Sequence, residues 1–190
     1  MSQDPITLAR HGAHLVAAFL AAFAVTHVLA GIFYAQMVIA GLESVGVPVS
    51  LGVRLDLTID TIFGLLDSAL GGLLNSYGRA IFIGLAVAYA VAYLVKQLIT
   101  PIPLLATLKP IAYPAAGATA IAAVLYFVYQ GQGPGALAGA RDVVGVVTQL
   151  LAGALGGAAF AALRPKPDPA QDAAGAVFGL TPPWSPVARA

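Results

Sequence analysis

The sequence predicts an all-α membrane protein: a four-transmembrane-helix bundle with an extracytoplasmic loop that contains one β-strand-like segment and a short amphipathic helix. Three observations predict it. Of 190 residues only 9% are charged and 59% are hydrophobic, with a mean hydropathy of +0.89, whereas a soluble domain carries roughly 25% charged residues to keep its surface wet. Four stretches, 14–42, 80–99, 110–130 and 143–163, reach the ~20 apolar residues a helix needs to cross the hydrocarbon core. Between the first and second of these the apolar pattern changes to period two, the repeat of a strand with one covered face.

Residues 1–13 form the N-terminal segment, with Arg10 and His11 ahead of the first span. Val28-Leu29-Ala30 would pass as a signal cleavage site, but the apolar run continues to Leu42, about twice the length of a signal core. The segment therefore reads as an uncleaved helix that tilts or projects beyond the bilayer. His27 lies near its middle with Thr26 beside it, and an imidazole in hydrocarbon needs hydrogen-bond partners. By depth counting, Tyr89 and Thr119 are the candidates. One reading is a neutral histidine that locks helix register. The other is a haem or chlorophyll ligand, or a proton-handling group, since iron and magnesium accept an imidazole nitrogen. His11 and His14, at the interface, read as solvated.

In the outer loop, 43–79, Val45, Val47, Val49, Leu51, Val53, Leu55, Leu57 and Ile59 alternate with small, polar or charged neighbours. Gly46, Pro48 and Gly52 weaken the first half as a strand, which leaves 49–59. A strand needs a neighbour for its amides and carbonyls, and the chain has no second alternating run. Val49, Leu51, Val53, Leu55, Leu57 and Ile59 are thus candidate partner-binding residues, paired with a second copy or another subunit. Asp60 then caps a helix on which Ile62, Leu66, Leu70, Leu73 and Tyr77 repeat at helical spacing, with Gly78 as the stop. This helix is expected to lie along the membrane surface.

The second span carries Gly84, Ala88 and Ala92 at four-residue spacing, the third Ala116 and Ala120, and the fourth Gly153 and Gly157. Small residues let transmembrane helices approach closely, so Gly84, Ala88, Gly153 and Gly157 are the candidate packing positions. Lys96 is the one charge inside a span and sits near its end, where its ammonium can reach the interface. Pro114 occupies a permitted helix-start position. Short loops, 100–109 and 131–142, join the last spans. The tail, 164–190, holds six prolines within Pro165–Pro186, too many for a helix. Its apolar cluster of Val177, Phe178, Leu180 and Trp184 could dock on a partner.

Arg10, Lys96, Lys109, Arg164 and Lys166 flank one side of the four spans, against Arg54, Arg79 and Arg141 on the other. The positive-inside bias puts both termini in the cytoplasm, and the Ala-rich composition suits a bacterial inner membrane. A net charge of +1 gives no reason to expect nucleic acid as a partner, and the absence of cysteine excludes disulfides, thiolate metal sites and thiol catalysis. No phosphate-binding loop, Ser-His-Asp set or intramembrane carboxylate pair is present. The expectation is a non-catalytic integral membrane subunit, a homo-oligomer or part of a larger complex, in contact with the lipid bilayer. Alternatives are a small oligomeric channel or transporter, with a polar stripe of Thr26, Gln36, Thr119, Thr148 and Gln149, and a haem- or chlorophyll-binding subunit using His27. No metal site is expected.

Overall fold

After Pro5 the sequence has no proline until Pro48, so nothing interrupts the backbone ladder of the first helix. In the computed structural model, which describes residues 5–71, 77–99, 107–132 and 139–165, this stretch is one helix, α1 (Pro5–Ser44), 40 residues long. At 1.5 Å per residue it extends about 60 Å, twice the ~30 Å hydrocarbon thickness. It stops where Gly46 takes φ +83°, a left-handed conformation that costs glycine nothing, and the Val47 amide folds back onto the Leu42 carbonyl at 3.1 Å.

The chain then forms α2 (Leu51–Gly71), α3 (Tyr77–Ile99), a single 3-10 turn (Lys109–Ile111) leading into α4 (Ala112–Gln132), and α5 (Val143–Leu163). Among the described residues, four helices are long and apolar enough to cross a membrane: Ala9–Ser44, Tyr77–Ile99, Lys109–Gly131 and Val143–Leu163. They pack in the cyclic order α1, α5, α4, α3, with α2 laid against the outside of α1 and α3. Phe19 and Phe23 of α1 meet Phe82 of α3 edge to face, at 5.0 and 5.3 Å between ring centroids, and Phe19 also meets Tyr89. Successive spans therefore run in opposite directions, and the first turn of α1 shares an end of the bundle with the last turn of α5.

The strand expected over 49–59 is not there; the described residues contain no strand, and α2 is helical from Leu51. Ser50 starts it: its hydroxyl accepts from the Val53 amide at 3.4 Å and its carbonyl from the Arg54 amide at 3.0 Å. Asp60, expected to cap a later helix, lies inside α2, while Tyr77 and Gly78 open α3 instead of closing the amphipathic helix. The physical reason is backbone satisfaction. A lone strand leaves a donor and an acceptor per residue without partners, whereas a helix pairs them internally. The apolar alternation does not oppose this, because every second odd position also repeats at period four: Leu51, Leu55, Ile59 and Phe63 form one exposed stripe. Arg54, Leu57, Thr58, Thr61 and Ile62 form the half-buried face toward the bundle.

Glycine lets the spans touch backbone to backbone. A Cβ built at Gly153 of α5 would overlap the Gly117 carbonyl oxygen of α4, and one at Gly157 would overlap the Tyr113 carbonyl oxygen. A Cβ at Gly156, facing α1, would overlap the Thr26 hydroxyl and lie 2.9 Å from the Ala22 carbonyl. Around these seams the core consists of Ile81, Leu85, Ile121 and an aromatic cluster in which Tyr89 stacks on Phe160 at 4.5 Å and Tyr113 meets both rings edge on.

Candidate functional site

The polar residues buried inside the bundle are Thr26, His27 and Gln149 among those described. Thr26 uses its hydroxyl within its own helix, donating to the Ala22 carbonyl at 3.0 Å. His27 Nε2 lies 3.1 Å from the Ile62 carbonyl of α2. A carbonyl only accepts, so Nε2 carries a proton and donates. Nδ1 is buried and has no hydrogen-bond partner among the described residues, and neither does the Tyr89 hydroxyl. The partner of His27 is therefore neither Tyr89 nor Thr119; the latter is exposed and bonds the Ala115 carbonyl of its own helix at 2.9 Å.

Gln149 carries a connection that the sequence did not flag as structural. Its amide nitrogen donates to the Ala30 carbonyl of α1 at 3.0 Å, and its oxygen accepts from the Tyr77 hydroxyl of α3 at 3.3 Å. One fully buried amide from α5 thus ties three helices. With His27 bonding α1 to α2, the buried polar groups fix register between elements whose apolar faces would tolerate sliding. Substituting His27 by Leu is expected to change stability by only ~0.6 kcal/mol, the average for buried polar contacts in membrane bundles, and to leave the purified protein colourless. An absorption band in the parent that vanishes in the variant would instead make His27 a ligand.

His27 is 3% exposed, its ring packs on Phe23 at 5.4 Å between centroids, and it lines neither the groove between α3 and α4 nor the smaller cavity beside Arg141 and Asp142. His11 and His14 are exposed on α1, and no group of three metal-ligating side chains occurs among the described residues.

Of the expected partner-binding residues, Leu51, Val53, Leu55 and Ile59 are at least half exposed, whereas Leu57 is half-buried and Val49 precedes the helix, its carbonyl accepting from Arg54 Nε at 3.3 Å. Arg54 also pairs with Glu43, tying the start of α2 to the end of α1. Gln36 of α1 bonds Thr58 of α2 at 3.4 Å, and Gly31 lies directly under Ile62. Instead of lying flat on the surface, α2 runs back along α1 to the level of His27. Trp184 and its apolar neighbours lie outside the described residues. Gly84 packs on Ala120 and Val124, and Ala88 is half-buried next to it; both line a groove of about 870 Å³ between α3 and α4.

A second charged constellation surrounds Tyr113 at the end of the bundle that holds the last turn of α5. The Lys96 ammonium lies 5.0 Å from the ring centroid and the Arg164 guanidinium 4.7 Å, and Arg164 Nη1 donates to the phenol oxygen at 3.0 Å. Lys109 and Arg164 are both close enough to act electrostatically on Lys96. Lys96 alone suggested a side chain stretching to the interface; its convergence with Lys109 and Arg164, which are 13 and 68 residues away in sequence, required the fold. No family model, curated protein or solved structure matches the chain.

Proposed function

We propose that this chain is a non-catalytic integral membrane subunit that assembles with itself or with a larger complex, and that α2 is its docking element. The observation that carries the reading is the exposed stripe Leu51, Leu55, Ile59 and Phe63, 50–72% exposed, on a helix that also exposes Asp56 and Asp60. Asp60 lies between Thr58, which meets Gln36, and Ile62, which meets His27, so it stands at a level inside the apolar span of α1. A carboxylate against lipid there costs up to ~2.5–3.5 kcal/mol, while the apolar stripe is equally misplaced in water. A neighbouring subunit relieves both conflicts, covering the stripe and offering polar partners to the carboxylates. The basic residues at the opposite end support an orientation with both termini in the cytoplasm of a bacterial inner membrane.

A channel within one protomer has less support. Thr26 and Gln149 are buried between helices, Gln36 faces α2, and Thr119 is exposed in the α3/α4 groove, so the expected polar stripe is dispersed over different faces. A pore would have to form between copies, with α2 lining it.

The test is native mass spectrometry of the protein extracted from its own membrane. The parent is expected to retain a second copy or a partner chain. Leu55→Arg/Ile59→Arg, at two exposed positions, should keep the fold and release the partner, because an uncompensated charge in a desolvated interface costs ~3–5 kcal/mol. A parent that is monomeric under the mildest extraction, or a variant that assembles like the parent, would defeat the reading.

A further inference from the structure

Arg141, Asp56 and Asp60 carry charges that the protomer leaves unused. All three residues are exposed, and none of their side chains has a hydrogen-bond or ion-pair partner among the described residues. Arg141 and Asp56 stand at the same height against α1. Arg141 shares a cavity with α1 between Met37 and Ser44. Asp56 lies between Arg54, which pairs with Glu43, and Thr58, which meets Gln36; Asp60 is one turn lower. The opposite charges belong to different flanks of the bundle: α2 lies against α1 and α3, whereas Arg141 leads into α5, which packs on α1 and α4. From Arg141 an exposed apolar stripe of Val143, Val147, Leu151 and Leu155 descends α5, just as Ile59 and Phe63 descend α2 below Asp56.

We infer that the surface of α2 is occupied by α5 of a second copy of this chain, whose Arg141 faces Asp56 and Asp60. The inference rests on the proposed docking through α2 and names its partner. Charge selects the contact. Copies inserted by the same rule share an orientation, so a two-fold contact of α2 with α2 would set Asp56 and Asp60 against the same carboxylates, and like charges brought together cost affinity. A sideways shift at constant height sets α2 against α5 instead and pairs opposite charges. Of the other bases toward this end of the bundle, Arg54 is already paired and Arg79 is half-buried in α3, which leaves Arg141. Asp142 beside it does not cancel the attraction: its carboxylate accepts from the Gly145 amide at 2.6 Å and caps α5, where the helix dipole offsets its charge. Below the charges the two apolar stripes cover one another. The contact joins unlike surfaces, one α2 and one α5 per copy, so its closed form is a ring of three or more.

The chain has no cysteine, so introduced cysteines report single contacts. Asp56→Cys and Arg141→Cys copies of the full chain, carrying tags of different size, are co-expressed and their membranes oxidised with copper phenanthroline. A cross-link is expected between the two variants and within neither alone. In native mass spectrometry Asp56→Arg should weaken assembly at least about tenfold, the equivalent of ~1.4 kcal/mol, because close interfacial charge pairs couple at least that strongly. Asp56→Arg/Arg141→Asp should restore it, which separates lost docking from lost folding. Cross-linking of Asp56→Cys to itself would mean a two-fold contact through α2 and overturn the inference. A parent that retains a partner but gives no mixed cross-link would also overturn it, and would leave docking through α2 standing with a different chain. A monomeric parent would defeat both, so the two failures give different results.

Discussion

Leucine at Gly153 is expected to keep α4 and α5 from closing and to unfold the bundle at far lower denaturant than the parent. A Cβ there would overlap the Gly117 carbonyl oxygen and lie 2.6 Å from Ile121 Cγ1 and 2.8 Å from the Gly117 carbonyl carbon. The obstructing atoms are mostly backbone, so no rotamer change relieves them. The helices must separate, losing the dispersion contacts that drive association in lipid. Overpacking commonly costs ~1–3 kcal/mol. Here the expected loss is at or above the top of that range, because Gly157, one turn away, uses the same seam against Tyr113 and Pro114. Gly41→Ala is the control. Nothing lies within 4 Å of a Cβ at that position, and removing a helical glycine gains up to ~1 kcal/mol. Unfolding by sodium dodecyl sulfate in mixed micelles, followed by circular dichroism, measures both. A parent-like midpoint for Gly153→Leu would mean that α4 and α5 do not meet at this seam.

The spans were legible because bilayer thickness imposes a length, and composition alone meets it. The last, 143–163, coincides with α5, and the others differ from their helices by a few residues at either end, except that α1 starts well before residue 14, at Pro5. The loop was not legible for a definite reason. Residues 45–59 alternate, but alternate positions in an alternating run also recur every four, so the pattern suits a strand or a helix with an apolar stripe. What decides is the fate of the backbone groups, and the absence of any second strand in the sequence was the signal that favoured a helix. Placing α2 outside the bundle also hid the partner of His27. Depth counting put the imidazole near mid-span, but its acceptor is a main-chain carbonyl, Ile62, which no side-chain inventory can show. The same limit applies to Gln149, whose partner on α1 is the Ala30 carbonyl. The groups around Tyr113 come from three elements, and only the return of α5 to the start of α4 brings Arg164 to the ring.

Leucine at Gly31 is expected to detach α2 from α1 while the four spans stay together, which makes α2 a docking unit with its own stability. A Cβ at Gly31 would lie 2.8 Å from Ile62 Cγ1 and 3.3 Å from Ile62 Cα. Alanine can be accommodated if the Ile62 side chain turns aside, but a leucine must also push the α2 backbone, and that shift breaks the 3.1 Å bond from His27. Among the described residues, the other side-chain polar ties of α2 to α1 are the Arg54–Glu43 pair and the 3.4 Å contact of Gln36 with Thr58. Both are exposed, and pairs of that kind contribute ~1 kcal/mol at most. With ~1–3 kcal/mol of overpacking concentrated at one contact, amide exchange over 51–64 should quicken by about five- to hundredfold through local opening. Exchange in α5 should stay at the parent rate, because none of its seams with α4 involves Gly31. If assembly runs through α2, the same substitution should release the partner chain as well, without adding a charge to the interface. Hydrogen exchange in detergent micelles, read by mass spectrometry, separates the outcomes. Quickened exchange in α2 alone supports a separately docked helix. Equal quickening in α5 would mean that α2 and the spans open as one cooperative unit, and no change in α2 would mean that Ile62 does not rest on Gly31.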